Sequence, residues 1–378
     1  MSVKGSIFEP PIDLRNHSSL IYAEGVFGLD SRKKFSMRAK TADGILRYAD
    51  YEIAGVVDSQ SREKTAGEVL RDYLAGRENF KTPIFSDLKE ARQKTNADVL
   101  ILGAAREGGA FPKEWEKDIE LAMNSKMHLV SGTHFSFAKD ERWSGLAKKN
   151  NVLIWDARMV SGSFKIPVGS ARAYYMKKPV VLTVGMDAAI GKMTVAYEMS
   201  VAAKGLGMKS CVIPTGQTAI IIEGWGVSID ALPADFMAGA VETMLLEKEE
   251  DFDIFFVEGQ GSLFHPAFSN TCISLIHGAV PTHMVLVHRP QREHSIGSKL
   301  VKLPSIKEAI YQYEGIILPR YRNAKVIAVA LNSSGMGDEE YSKYKESAEK
   351  ESGLPVFDAV RERGAVAGVI SNLKSVSI

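Results

Sequence analysis

Short apolar runs alternate along the chain with longer stretches in which apolar residues recur at helical spacing, and turn residues separate them. In the first half, the runs at 19–23, 53–57, 99–102, 128–130 and 152–154 predict strands. The stretches at 41–48, 64–74, 88–94 and 113–124 predict helices. A second series of strands is predicted at 180–184, 210–214, 254–258, 284–288 and 325–331. Strands alternating with helices imply βαβ units and a mostly parallel sheet. Between the two series, residues 160–178 contain SGSFKIPVGS, rich in Gly, Ser and Pro. The expected fold is α/β, with two doubly wound domains over residues 1–170 and 171–378. The chain shows no internal repeat and no low-complexity tract.

Bulk properties narrow the class. The 378 residues suffice for two ordinary domains, and 45% hydrophobic with 25% charged residues is the composition of a soluble globular protein. A net charge of +1 offers no one-sign field for nucleic acid or an anionic membrane. Neither partner is expected. Cys211 and Cys272 are too few for a disulfide framework and lack the clustering of a zinc site. With no secretory h-region at the start and no membrane-length apolar run, a cytoplasmic protein is expected. The expected assembly is a homo-oligomer.

The strongest chemical signal follows the 180–184 strand. It reads Gly185-Met-Asp187-Ala-Ala-Ile-Gly191-Lys192-Met193-Thr194 and leads into a helix at 195–204. Glycines let backbone N–H groups converge on a phosphate, the helix N-terminus adds a positive dipole, and Lys192 adds a mobile charge. Lys192 is expected to be solvated in the empty site. Five residues separate the two glycines where the common P-loop has four. A common P-loop also places Ser or Thr directly after the lysine, as a Mg²⁺ ligand. Here that position is Met193, a poor ligand for a hard cation, although Thr194 can still hydrogen-bond a phosphate. Such a site suits holding a phosphoanhydride better than cleaving it, and coenzyme A is a ligand of that kind. The alternative is ATP, with Mg²⁺ held by Asp187, Asp235 or Glu258. No dedicated metal site is expected.

Other loops should reach the same crevice, since strand C-termini line it in open α/β sheets. Asp253-Ile-Phe-Phe-Val-Glu258-Gly-Gln260-Gly-Ser262 reads as a buried strand ending in a carboxylate and a glycine-rich loop. Glu258 is a candidate base or cation ligand, and His265 follows in the same loop. His288 ends the next strand and is a weaker candidate. Pro214-Thr-Gly216-Gln217-Thr218 follows another strand, and SIDALPADFMAG holds Asp230 and Asp235, of which one is expected to cap a helix. Asn332, in Asn332-Ser-Ser, is placed either to read an adenine edge or to make a turn.

These motifs resemble two groups. The loop with five intervening residues and Val257-Glu258-Gly259-Gln260-Gly261 are similar to the dethiobiotin synthetase group. A resemblance across nearly the whole chain is to a bacterial and archaeal family long described as a domain of unknown function. That family has a Rossmann-like N-terminal half and a P-loop NTPase-like C-terminal half. Its signatures stand here as Val184-Gly-Met-Asp187-Ala-Ala-Ile-Gly-Lys-Met-Thr194, Thr215-Gly-Gln-Thr218, Asp235-Phe-Met-Ala-Gly239, Val257-Glu-Gly-Gln-Gly-Ser262 and Ala330-Leu-Asn332-Ser-Ser. Met186 departs from the Thr usual in the family loop. The family includes D-glutamate N-acetyltransferases, so the resemblance implies acetyl transfer from acetyl-CoA to the amine of an acidic amino acid.

The first half is less explicit. Glu24-Gly25-Val-Phe-Gly28 lacks a full GxGxxG, so NAD is not expected. Asp58 fits either a ribose-binding acid or a helix cap. Loops carrying Arg106, His134 and Arg158 follow later strands, and a dicarboxylate acceptor needs an Arg fork. Arg158 is the first candidate and Arg106 the second, with the acceptor expected in a cleft between the domains. Gln217, Asp235 and Gln260 complete the candidate acceptor site. Glu258 and His265 are the candidate bases, with glycine-loop N–H groups for the oxyanion. The competing readings are an ATP- and Mg²⁺-dependent ligase or kinase, and a nucleotide-binding regulator without chemistry.

Overall fold

The computed structural model describes residues 8–28, 37–70, 77–104, 111–160, 166–316 and 322–373. The chain forms two units, Met1–Gly162 with Gln217–Ser228 and Ser163–Gly216 with Ile229–Ile378. A single cut at residue 170 leaves out this exchange, in which a segment from the second half of the chain lies with the first unit.

Strands of the first unit are β1 (Ser18–Tyr22), β2 (Glu52–Val57), β3 (Ile84–Phe85), β4 (Val99–Leu102), β5 (His128–Ser131) and β6 (Ile154–Asp156). They pair in parallel in the order β3-β2-β1-β4-β5-β6, so the direction of winding reverses at β1. Helices α1 (Lys40–Tyr48), α2 (Ala66–Leu70), α3 (Leu88–Lys94), α4 (Glu116–Asn124) and α5 (Glu141–Asn150) alternate with them. Local sequence sets several helix starts. Thr65 and Glu68 make a reciprocal capping box at α2, and the side chains of Asp87 and Asp140 cap α3 and α5.

The second unit has β7 (Val180–Gly185), β8 (Ser210–Ile213), β9 (Ile254–Val257), β10 (His283–His288), β11 (Lys325–Leu331) and β12 (Val356–Phe357). These are also parallel, in the order β12-β11-β10-β7-β9-β8. All residues of β7, β8 and β9 are buried, as expected of a sheet covered on both faces. Its helices are α6 (Lys192–Gly205), α8 (Ala234–Leu246), α9 (Ser269–Ala279), α10 (Ile306–Ile316), α11 (Asp338–Ser352) and α12 (Arg363–Ser371). The remaining helix, α7 (Gln217–Glu223), belongs to the first unit. There it meets α1 through Thr41 and Thr218, whose hydroxyls are 2.9 Å apart.

Both sheets are therefore doubly wound and parallel. Each expected strand is present, although β6 starts at Ile154 where the sequence suggested 152. β3 and β12 were not expected, because a strand of two residues has no period to read. The helix expected at 64–74 is α2 up to Leu70, and residues 71–76 lie outside the described residues. No described helix is long and apolar enough to cross a membrane.

Candidate functional site

Winding in the second unit reverses at β7, and the loop that leaves β7 enters α6 directly. In such sheets the ligand crevice opens at this reversal, outside the strand C-termini. Ala189 and Gly191 have positive φ, 53° and 107°, and Gly191 is the N-cap of α6. No side chain caps this helix and no acid stands in its first turn. The first N–H groups of a helix have no intrahelical acceptor and sit at the positive end of its dipole. This end of α6 can therefore accept an external anion.

Lys192 opens α6 and is buried rather than solvated, with 6% of its surface exposed. Its stem crosses Gly185 and Gly259, where a Cβ would come within 3.1 and 3.0 Å of Lys192 Cδ. Nζ donates to the Asp187 carbonyl at 2.8 Å. Burial pushes the ammonium pKa down to about 8; nearby Asp187 and Glu258 oppose the shift, and the Arg292 charge adds to it. Met193 and Thr194 follow, both half-buried.

Asp187 is fully buried, and its carboxylate anchors the loop after β10. It accepts from Arg292 NH1 at 2.8 Å, the Ile296 N–H at 2.8 Å and the Ser295 hydroxyl at 3.1 Å. Asn332 braces the phosphate loop from the other side, donating from Nδ2 to the Ile190 carbonyl at 2.9 Å. Its Oδ1 accepts from the Ser334 N–H at 3.2 Å, so both ends of the amide have protein partners. The Tyr313 hydroxyl, also fully buried, donates to the Gly185 carbonyl at 2.6 Å and accepts from the Leu263 N–H at 3.3 Å. It ties the end of β7 to the loop after β9.

Glu258 lies just past β9 and is 4% exposed. Its Oε2 accepts both the Thr215 N–H at 3.0 Å and the Gly216 N–H at 2.9 Å, which fixes the turn after β8. Gln260 Nε2 donates to the Thr215 hydroxyl at 3.2 Å. Gly259 is forced by close approach, since a Cβ there would lie 1.7 Å from the Thr183 carbonyl oxygen. His265 is buried with both ring nitrogens engaged. Nδ1 accepts from the Ala267 N–H at 3.1 Å, which leaves Nε2 to carry the proton toward the Ile296 carbonyl at 3.0 Å. Its ring stacks on Phe268. His265 therefore pins one loop to another. His288 Nε2 and the Tyr344 hydroxyl are 2.7 Å apart, and burial pushes the His288 pKa down to about 4.

The described acceptor candidates belong to both units, His134, Arg158 and Gln217 to the first and Asp235 and Gln260 to the second. Gln217 and Arg158 meet in the first unit, where Arg158 NH1 donates to Gln217 Oε1 at 3.0 Å. His134 is exposed, and Asp235 is an exposed acid in the first turn of α8, a position that favours the helix dipole. Arg106 lies outside the described residues. Asp58 caps no described helix but ties two loops together: its two oxygens accept the Gly25 and Ser61 N–H groups, each at 2.8 Å. Among the described residues, no three His, Cys, Asp or Glu side chains group as a metal site. Two residues went unnoticed in the sequence. Arg292 follows β10, and the strand-end rule applied to that strand would have nominated it. Tyr313 lies inside α10 and gives no local signal.

Comparison with known proteins agrees with this architecture. Residues 167–367 match a family model described as "Domain of unknown function (DUF1611_C) P-loop domain", and residues 63–160 match the DUF1611_N Rossmann-like domain. A protein of Tritonibacter scottomollicae named D-glutamate N-acetyltransferase is 33% identical over 279 residues, 72% of this chain and 80% of its own length. One of the same name from Pseudoalteromonas sp. is 32% identical over 281 residues, 74% of this chain and 82% of its own. The crystal structure of a DUF1611 family protein from Anabaena variabilis ATCC 29413 matches with a TM-score of 0.81 at 31% identity. That match covers 94% of this chain and 100% of the other. With its Rossmann-like first unit and its phosphate loop at 185–194, the chain belongs to the DUF1611 family.

Proposed function

We propose that the chain is an N-acetyltransferase that moves an acetyl group from acetyl-CoA to the amine of D-glutamate. The observation that carries acetyl transfer is the relationship to two proteins of that name across more than 70% of the chain. The phosphate loop supports the choice of donor. An uncapped α6 N-terminus beside Lys192 suits a diphosphate, and Met193 stands where a Mg²⁺-binding hydroxyl would be.

In this reading Lys192 and the first turn of α6 hold the phosphates of CoA. The acceptor amine loses a proton and attacks the thioester carbonyl carbon, the C–S bond breaks, and CoA leaves as the thiol. Glu258 is the favoured proton acceptor, because the lone pair of His265 Nδ1 is already occupied by the Ala267 N–H. Gln217 and Arg158, paired with one another, are the acceptor-binding candidates within the first unit.

An ATP-dependent ligase is the second reading, favoured by the five-residue spacing between Gly185 and Gly191 and by the strand ending in Val257-Glu258-Gly259. Turnover with acetyl-CoA and D-glutamate in the presence of EDTA separates the two. Acetylation that survives EDTA is expected. Nucleotide hydrolysis with strict Mg²⁺ dependence, and no acetyl product, would replace this reading with the ligase.

A further inference from the structure

We propose that Arg292 is a second phosphate-binding cation of the P-loop, held in place for the ligand's diphosphate by Asp187. The proposal rests on the reading of 185–194 as a site for a phosphorylated ligand.

Arg292 lies in the segment after β10, which doubles back on itself: the Ser295 N–H donates to the Val301 carbonyl and the Leu303 N–H to the Glu293 carbonyl, each at 2.9 Å. From there its NH1 reaches the phosphate loop, donating to Asp187 Oδ2 at 2.8 Å and to the Ala188 carbonyl at 2.7 Å. Both hydrogens of NH1 are thus directed to consecutive residues of the loop. Nε–H and the NH2 hydrogens have no protein partner among the described residues, and the side chain is 18% exposed. A guanidinium fixed along one edge, with its remaining donors unmatched, is set up for two-point recognition of phosphate oxygens.

Its anchor is over-determined. The same buried carboxylate takes Ser295 and the Ile296 N–H, and His265 holds the Ile296 carbonyl. Asp187 therefore acts as a positioning residue. Lys192 Nζ binds the main-chain oxygen of this same Asp187, so two cations converge on one residue of the loop. Burial is the main cause of the depressed Lys192 pKa and the Arg292 charge adds to it, so a polyanion between the two cations would relieve their repulsion. Two adjacent cations match a diphosphate, the group shared by CoA and ADP.

Calorimetric titration of wild type, Arg292→Gln, Arg292→Lys and Ser295→Ala with CoA, ADP and pantetheine tests the proposal. Arg292→Gln should weaken CoA roughly 10–100-fold, the loss of a charge-assisted hydrogen bond. Arg292→Lys should lose less, and Ser295→Ala, which loosens only the anchor, less again. Pantetheine, which carries no phosphate, should not discriminate wild type from Arg292→Gln. Unchanged CoA and ADP affinity in a folded Arg292→Gln protein overturns the proposal, and so does a loss in Ser295→Ala as large as in Arg292→Gln. If Arg292→Gln does not fold, Arg292→Lys decides, with wild-type affinity for both ligands as the overturning result. Binding of ADP but not CoA would remove the acetyltransferase reading while Arg292 is still judged on ADP. Wild type that binds neither removes both.

Discussion

Each sheet reverses its winding beside a glycine-containing loop and carries a buried carboxylate at the end of a strand, yet the two loops are wired differently. In the first unit Asp58 turns both oxygens on backbone N–H groups, those of Gly25 and Ser61, and Glu24 takes the Ser59 N–H at 2.8 Å. The protein supplies its own anion there. In the second unit Glu258 Oε2 holds a neighbouring turn, while α6 has no side-chain cap and begins with Lys192 and no acid in its first turn. In the first loop a carboxylate takes up the backbone N–H groups, whereas at the second the first N–H groups of α6 have no side-chain acceptor.

The largest expected effect breaks the likeness between the two carboxylates. Glu258→Gln keeps a carbonyl oxygen for the Thr215 and Gly216 N–H groups and loses only the charge. It should lower kcat by about 10²–10⁴-fold, the range for general-base loss, with CoA affinity and melting temperature near wild type. His265→Ala is the control, expected to lower thermal stability and spare the base. Should His265→Ala abolish turnover while Glu258→Gln remains active, the two roles exchange.

Next in size is the lysine. Lys192→Ala should weaken CoA binding by about 1.5–3 kcal/mol, roughly 10–150-fold, measured by calorimetry. Folding should not suffer, because a desolvated ammonium is unfavourable to bury. The sign of the pH effect follows from its pKa, lowered from 10.5 to about 8. Between those values the unfolded chain binds the extra proton, so wild-type stability rises with pH in that window. Lys192→Ala should flatten the rise. Ligand binding runs the other way: an anion favours the charged lysine, so CoA affinity should fall as pH climbs past about 8. A pH-independent affinity would detach Lys192 from the ligand.

The smallest effect sharpens the contrast from the first unit. Asp58→Asn leaves one oxygen for two backbone N–H groups, so one buried donor goes unmet. Stability should drop by about 1–3 kcal/mol in urea melts, with kcat and CoA affinity unchanged. A selective loss of catalysis in this variant would give the first loop a ligand role after all.

What the sequence determined by itself was local and periodic. Apolar runs placed the longer strands, helical spacing placed the helices between them, and Gly185 to Thr194 announced a P-loop between β7 and α6, because each depends on residues close together in the chain. Partnerships over long separations were decided only in three dimensions. Lys192 looked solvated in the empty site and is buried, since two distant glycines, Gly185 at the end of β7 and Gly259 in the loop after β9, leave room for its stem. His265 looked like a base until the Ala267 N–H and the Ile296 carbonyl occupied its ring. Asp187 looked like a ligand and is an anchor for Arg292, more than a hundred residues away. A side chain's type fixes what it can donate or accept, but packing decides which partner reaches it first, and that choice separates a buried brace from a group left open to substrate.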